Sequence, residues 1–467
     1  MTFLECSACG SKFNGYPPKC LCSKCGGILE YKYDYEMFKT AKFVGRFSFW
    51  RYRHFMPEVR NVASMGEGGT PIHKTRRLAK NVGLTNVYFK DETRNPTNSF
   101  RDRCAALLVS NALDLGYKSV VCATNGNMGA SLSAYCAKFG LVCHVVVPES
   151  VDVGKLAQML IYNAVIEEFG EIVDESLERA EEIAMETGWY QGSVELNPLA
   201  LEALKTIAYE VFEQIGVPEW LAVPMGSGGT LYAIWKGFKE LEKADKVDTL
   251  PKMVGVQAEG CSPIVNSYLR KIPKPVLKSK PSTHALAILV KNPTYGGFAL
   301  QAIKESRGLA VAVSDEEIFS AEREMAKFEG IFAEPASAAT YAAVKKLVNQ
   351  GLMDASDKIV CLITGSGLKA TDVLQALTKK RKTALVGLEL STKEKILRIV
   401  SGRDAYGYEL WKELGKIMTR AAVYQHLKEL SKKGLITSYS KEGRKFFKIT
   451  KRGKEVLRAF DDLKLLL

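Results

Sequence analysis

Toward its C-terminal end the chain alternates apolar and polar positions at helical spacing. Ile396, Leu397, Ile399 and Val400 fall on one side of a helix that Ser391 or Thr392 can cap, and a second helix runs from Tyr406 to Leu414. Thr419 caps a third, in which Val423, Leu427 and Leu430 repeat at i, i+4 and i+7 and leave Arg420, Gln425, Lys428 and Lys432 to water or a partner. Gly434 stops it. The period then shortens. Leu435-Ile436-Thr437-Ser438-Tyr439 and Lys445-Phe446-Phe447-Lys448-Ile449 flank the turn residues Glu442-Gly443, which predicts a two-stranded ribbon. A last helix from Thr450 carries Val456, Leu457, Phe460 and Leu463 as its apolar stripe. Upstream, the apolar stretch Leu221-Ala222-Val223-Pro224 reads as a strand feeding the turn Gly226-Ser227-Gly228-Gly229-Thr230, whose consecutive backbone N–H groups suit a phosphate. No apolar run reaches the roughly 20 residues needed to span a bilayer.

Charge changes the picture of the tail. The chain of 467 residues has a formal net charge of +13 and is 46% hydrophobic, enough for a large core in three or four structural units. From Lys379 to Leu467 there are 23 Lys and Arg against 10 Asp and Glu, which leaves 42 against 42 for residues 1–378. The whole excess therefore sits on the last fifth of the chain, with a domain boundary near the Lys379-Lys380-Arg381-Lys382 run. Three helices and a basic ribbon make a winged helix-turn-helix. In that arrangement the third helix enters the major groove, with Thr419, Arg420, Gln425 and Lys428 as its candidates for bases or phosphates and Lys441, Arg444 and Lys445 of the wing on the DNA backbone. The alternative is a dimerisation or protein-docking module with a solvated basic face.

Eleven cysteines, scattered and clustered, suit a reducing compartment. Cys6-Ser7-Ala8-Cys9 and Cys22-Ser23-Lys24-Cys25 are two C-x2-C pairs separated by 12 residues, the spacing that lets four thiolates surround a structural Zn²⁺; Cys20 is an extra thiol nearby. A segment this polar buries too little surface to fold without a metal. The start, Met1-Thr2-Phe3-Leu4-Glu5-Cys6, has no charged head or apolar stretch of a signal peptide, so a cytoplasmic protein with no membrane partner is expected. The five histidines lie far apart and form no ligand pair.

Several blocks, in one order, resemble the threonine synthase family over roughly residues 1–385. They are Gly66-Glu67-Gly68-Gly69-Thr70-Pro71, Lys90-Asp91-Glu92, Asn95-Pro96-Thr97-Asn98-Ser99-Phe100-Arg101-Asp102-Arg103, Ala123-Thr124-Asn125-Gly126-Asn127, the glycine-rich turn, Glu334-Pro335-Ala336-Ser337-Ala338-Ala339 and Val360-Cys361-Leu362-Ile363-Thr364-Gly365-Ser366-Gly367-Leu368-Lys369. The resemblance implies an α/β body of fold type II, two open parallel-sheet subdomains around pyridoxal phosphate, often preceded by a zinc ribbon. It assigns Asn127 to the cofactor's phenolic oxygen, Gly226, Ser227, Gly228, Gly229 and Thr230 to its phosphate, and Thr364 to its pyridine nitrogen. The family pattern has Gly-Ser-Phe-Lys where this chain has Asn98-Ser99-Phe100-Arg101. That lysine forms the aldimine, and arginine cannot, because its guanidinium stays protonated and non-nucleophilic. No catalytic residue is therefore expected. Arg101 either pairs with Asp102 or another neighbouring carboxylate, or holds the phosphate or carboxylate of a bound anion. Asn98 tolerates left-handed backbone in place of the glycine. Asn125, Met128 and Ser366 are further departures, and Lys90, Lys155 and Lys369 match family lysines that do not form the aldimine.

Ala405-Tyr406-Gly407-Tyr408-Glu409-Leu410 and Val423-Tyr424-Gln425-His426-Leu427-Lys428-Glu429-Leu430 resemble PadR-type transcriptional regulators. The expected organisation is a zinc ribbon at 1–32, the body at 45–378, a basic linker at 379–390 and the winged helix at 391–467. The resemblances imply a homodimeric regulator in which an inactive body binds an amino acid, a phosphorylated amino acid or noncovalent pyridoxal phosphate and reports to a DNA-binding tail. Two alternatives stand beside it. One is a pyridoxal-phosphate-dependent threonine synthase, or a related amino-acid lyase, with an added tail; the other is a docking protein with neither activity.

Overall fold

Parallel strands covered on both faces are apolar throughout, and Trp220–Pro224 is one, with all five residues buried. The computed structural model describes residues 2–13, 21–273, 275, 280–370, 392–415, 419–441 and 443–466. Cys20, Ser391, Glu442, the expected linker 379–390 and the side chains of Phe460 and Leu463 lie outside the described residues. The chain divides into two compact units, Met1–Asp372 and Val373–Leu467.

In the first unit Trp220–Pro224 pairs in parallel with Lys252–Ala258 and Lys358–Ile363. Leu309–Val313 and Asn86–Asp91 extend this sheet, and Ile72–Lys74 closes it as an antiparallel edge. A second sheet, parallel throughout, holds Val165–Glu168, Val142–Val147, Ser119–Ala123 and Tyr190–Gln191. The segments that matter chemically follow the carboxyl ends of these strands, where open α/β sheets leave a crevice. Thr364 follows Lys358–Ile363, Gly226 follows Trp220–Pro224, and Asn127 follows Ser119–Ala123. At the N-terminal end Lys12–Phe13, Phe3–Cys6 and Leu29–Lys32 form a small antiparallel sheet. Leu4, Leu29 and Tyr31 belong to the main core, and Lys236 Nζ donates to the Tyr31 carbonyl at 2.7 Å, so this sheet is packed on the body rather than set apart.

The second unit contains helical residues 392–402, helices Gly407–Glu413, Arg420–Lys432 and Lys451–Leu466, and the antiparallel hairpin Ile436–Lys441 with Arg444–Ile449. Ala405–Tyr406 adds a third strand beside Arg444–Ile449, which the apolar pattern does not announce. Ile396, Leu397, Val400, Val423, Leu427, Leu430, Phe447 and Ile449 fill one small core. Thr419 accepts from the Ala422 N–H as the expected cap. No helix among the described residues is long and apolar enough to cross a membrane.

Candidate functional site

Four strand ends and the start of helix Arg101–Asp114 converge on one cavity of about 70 Å³. Asn127, Gly226, Ser227, Gly228, Thr230, Thr364 and Arg101 all line it. Gly229 adjoins it as the first residue of helix Gly229–Lys243, whose unpaired N–H groups and dipole end here. Gly228, at φ 89°, cannot be replaced without cost, because a Cβ there would lie 2.9 Å from the Tyr295 carbonyl oxygen. Thr364 Oγ1 lies 2.8 Å from Ser337 Oγ, which holds the hydroxyl in place. The Asn127 amide donates to both carboxylate oxygens of Glu334 at 2.9 Å, while its buried Oδ1 has no partner among the described residues. Asn98 adopts φ 61°, the left-handed backbone its residue type tolerates, and its carbonyl accepts from the Ser366 N–H at 3.1 Å.

Arg101 is half-buried, with its guanidinium 4.6 Å from the Phe100 ring centroid. Asp102 is not its partner: that carboxylate accepts from the Thr97 N–H at 2.7 Å and the Thr97 hydroxyl at 2.6 Å, and burial pushes its pKa up to about 6. The carboxylate that shares the cavity with Arg101 is Glu195, which the sequence reading missed. Arg101 and Glu195 are the cavity's only ionisable side chains among the described residues. Burial raises the Glu195 pKa, opposed first by the charge of Arg101 and also by a hydrogen bond from Ser227. A lone carboxylate in the run Gly192-Ser193-Val194-Glu195-Leu196 is the one signal that pointed to it.

No lysine amine lines the cavity among the described residues. Lys90 Nζ is fully buried and bound to Glu210 Oε2 at 2.6 Å, the Thr70 carbonyl at 2.8 Å and Gln214 Oε1 at 2.9 Å. Lys155 Nζ stands 3.3 Å from Glu334 Oε1. Lys369 Nζ donates to the Thr97 carbonyl at 2.7 Å, and burial lowers its pKa to about 8 despite nearby Glu334 and Asp102. Pyridoxal phosphate therefore fits in part. The glycine turn and the partnerless Asn127 Oδ1 suit it, whereas the ionisable groups lining the cavity among the described residues are a guanidinium and a carboxyl group, with no amine for a covalent attachment.

The sulfur atoms of Cys6, Cys9, Cys22 and Cys25 lie within 4.8 Å of one another. Opposed pairs are 3.4 Å (Cys6 to Cys25) and 3.8 Å (Cys9 to Cys22) apart, compatible with the edges of a sulfur tetrahedron around one zinc ion. Gly27 packs against them, since a Cβ there would come within 2.7 Å of Cys6 Sγ.

In the second unit Thr419, Gln425 and Lys428 are exposed on the third helix, and Lys441, Arg444 and Lys445 are exposed at the hairpin tip, where Lys441 faces Arg444. The two arginines rest on aromatic rings. Arg420 stacks 4.9 Å from Tyr408 and 4.8 Å from Trp411, and Arg444 lies 5.0 Å from Tyr406.

Comparison with known proteins agrees with both units. The family described as pyridoxal-phosphate dependent enzyme matches residues 63–365, and the transcriptional regulator PadR-like family matches residues 396–459. A threonine synthase of Methanocaldococcus jannaschii is 39% identical over 84% of this chain and 99% of that protein. One of Methanosarcina acetivorans is 38% identical over 79% of this chain and 92% of its own length. Among solved structures, maize serine racemase superposes with a TM-score of 0.58 at 18% identity, covering 68% of this chain and 93% of that one, which shows the shared fold.

Proposed function

We propose, since the chain belongs to the pyridoxal-phosphate dependent enzyme family and carries a PadR-like domain at its C-terminal end, that it is a ligand-responsive DNA-binding transcriptional regulator built on a threonine-synthase-like body that no longer catalyses. The observation that carries this reading is the cavity at the strand ends, lined by Arg101 and Glu195 and by no lysine amine among the described residues. Arg101 takes the place of the aldimine lysine. A cofactor aldehyde entering this cavity meets a guanidinium that cannot add to it, so any pyridoxal phosphate is held noncovalently. The body then binds a small amino acid, a phosphorylated amino acid or the cofactor itself, and the basic tail binds DNA. Ligand changes DNA affinity only through a difference in its own affinity for two arrangements of the protein. A homodimer in the cytoplasm suits both resemblances.

The test is an absorbance scan of the purified chain with pyridoxal phosphate, then borohydride reduction and intact mass. No band in the roughly 410–420 nm region and no reduced adduct are expected. An adduct would favour the second reading, a pyridoxal-phosphate-dependent threonine synthase or related lyase with an added DNA-binding tail. Lys369 is the observation behind that alternative, a buried amine whose pKa is lowered to about 8, and peptide mapping of an adduct to it would decide the matter.

Cys6, Cys9, Cys22 and Cys25 hold a structural zinc in this reading. One zinc per chain is expected by metal analysis. Because Leu4, Leu29 and Tyr31 of the same small sheet belong to the body's core, chelation is expected to lower the melting temperature of the body by several degrees and expose residues 2–32 to protease. A melting curve unmoved by removal of the metal would refute a structural role.

A further inference from the structure

The cavity's charge pattern narrows the ligand. Arg101 supplies a guanidinium and Glu195 a carboxyl group to a space otherwise lined by neutral residues, and the Arg101 charge favours the ionised carboxylate against the burial that raises its pKa. Glu195 lines the same small cavity as Gly226, Ser227 and Gly228 of the glycine-rich turn, which places its carboxylate in one space with the N–H groups that would receive a phosphate. A phosphate carries more than one negative charge at neutral pH, and bringing it next to a second anion in a partly desolvated site is repulsive. The rest of the cavity suits a small molecule. Met128, Val173, Val194, Ile288 and Val290 give it apolar walls, and Asn127 Oδ1 is a buried acceptor without a partner among the described residues. Its volume of about 70 Å³ corresponds to about five to seven waters at roughly 10–15 Å³ each. That is room for a small amino acid.

We propose that Glu195 is the specificity residue of this cavity: its carboxylate is a built-in anion at the glycine-rich turn, turns away phosphate-bearing ligands, and with Arg101 grips an unphosphorylated α-amino acid by its ammonium and carboxylate groups. Arg101 takes the carboxylate and Glu195 the ammonium, each replacing part of the attraction the two side chains exert on each other. This rests on the regulator reading and narrows its ligand.

The test is calorimetric titration of the full-length protein with inorganic phosphate, with pyridoxal 5′-phosphate and with each proteinogenic L-amino acid in turn, for the wild type and for Glu195→Gln and Glu195→Ala. At least one small L-amino acid is expected to bind the wild type, and both variants to lose about tenfold or more of that affinity. Phosphate and pyridoxal 5′-phosphate are expected to gain about tenfold in both variants, where Arg101 loses its counter-charge. The proposal is overturned if the wild type binds either phosphate compound as tightly as the variants do, or if no amino acid binds it. Should the variants fail to fold, the wild type still decides, since stronger binding of pyridoxal 5′-phosphate than of every amino acid overturns the proposal. Repeating the DNA titration with the bound amino acid separates the two claims. Amino-acid binding that leaves DNA affinity unchanged upholds Glu195 and sinks the regulator, whereas DNA affinity that responds to pyridoxal 5′-phosphate in the wild type does the reverse.

Discussion

Replacing Arg103 by alanine is expected to destabilise the first unit by about 3–5 kcal/mol, the scale of an unpaired buried charge. Arg103 is wholly buried in the body. It donates to Glu92 at 2.8 and 2.7 Å and to Glu210 at 2.6 Å, and Lys90 holds the other oxygen of Glu210 at 2.6 Å. Burial alone would push the Glu210 pKa up, but Arg103 and then Lys90 outweigh it and hold the carboxylate well below its usual range. In the wild type this depressed folded pKa contributes stability above the unfolded carboxylate pKa of about 4.3, and the contribution is lost only as pH falls through the folded value. Without Arg103 the sign reverses for whichever carboxylate is left without a cation, since it must take a proton to stay buried. The loss in Arg103→Ala is therefore expected to be larger at pH 8 than at pH 5.5. Urea denaturation of wild type and variant at both pH values checks this, and a loss below about 1 kcal/mol at pH 8 would show that the network is hydrated.

Binding of mixed-sequence DNA by the full-length protein is expected to weaken by roughly 10³ between 50 and 200 mM salt, the behaviour of about six phosphate contacts, and to vanish when residues 391–467 are removed. The groups expected to make these contacts are exposed on two elements of the second unit: Gln425 and Lys428 on helix Arg420–Lys432, and Lys441, Arg444 and Lys445 at the hairpin tip. Arg420 and Arg444 start from aromatic stacks on Tyr408, Trp411 and Tyr406, which orients their guanidinium groups before any DNA arrives. Lys428→Ala is expected to reduce the salt slope by about one contact and to weaken all sequences alike, the mark of a phosphate rather than a base contact. Fluorescence anisotropy across a salt series measures both. Affinity that ignores salt, or survives the deletion, would favour a docking module.

Much of the local structure was legible because it rests on short-range rules. Val423, Leu427 and Leu430 are buried together, Thr419 caps their helix, and the ribbon residues pair around Gly443, since helical period, cap chemistry and turn residues act over a few neighbouring positions. Asn98 is left-handed for the same local reason. Glu195 was missed because its one local signal, a lone carboxylate in a short run without other charges, does not say whether it faces a cavity or water. Arg420 was assigned to DNA from its helix position alone, and the ring contacts with Tyr408 and Trp411 are visible only once the helices pack.

By itself, then, the amino-acid sequence determined the succession of elements, the four-cysteine cluster, the charge imbalance of the tail and the order of motifs that places an arginine at position 101. These are properties of residue type and near-neighbour spacing. The tertiary structure alone decided which charges meet: Arg103 with Glu92 and Glu210, Lys90 buried against Glu210, and Glu195 and Arg101 placed in one cavity at the strand ends. Pairs of this kind lie about ninety or more residues apart, apart from Arg103 and Glu92, and a charge is recognised as a partner only when folding removes the water between the two.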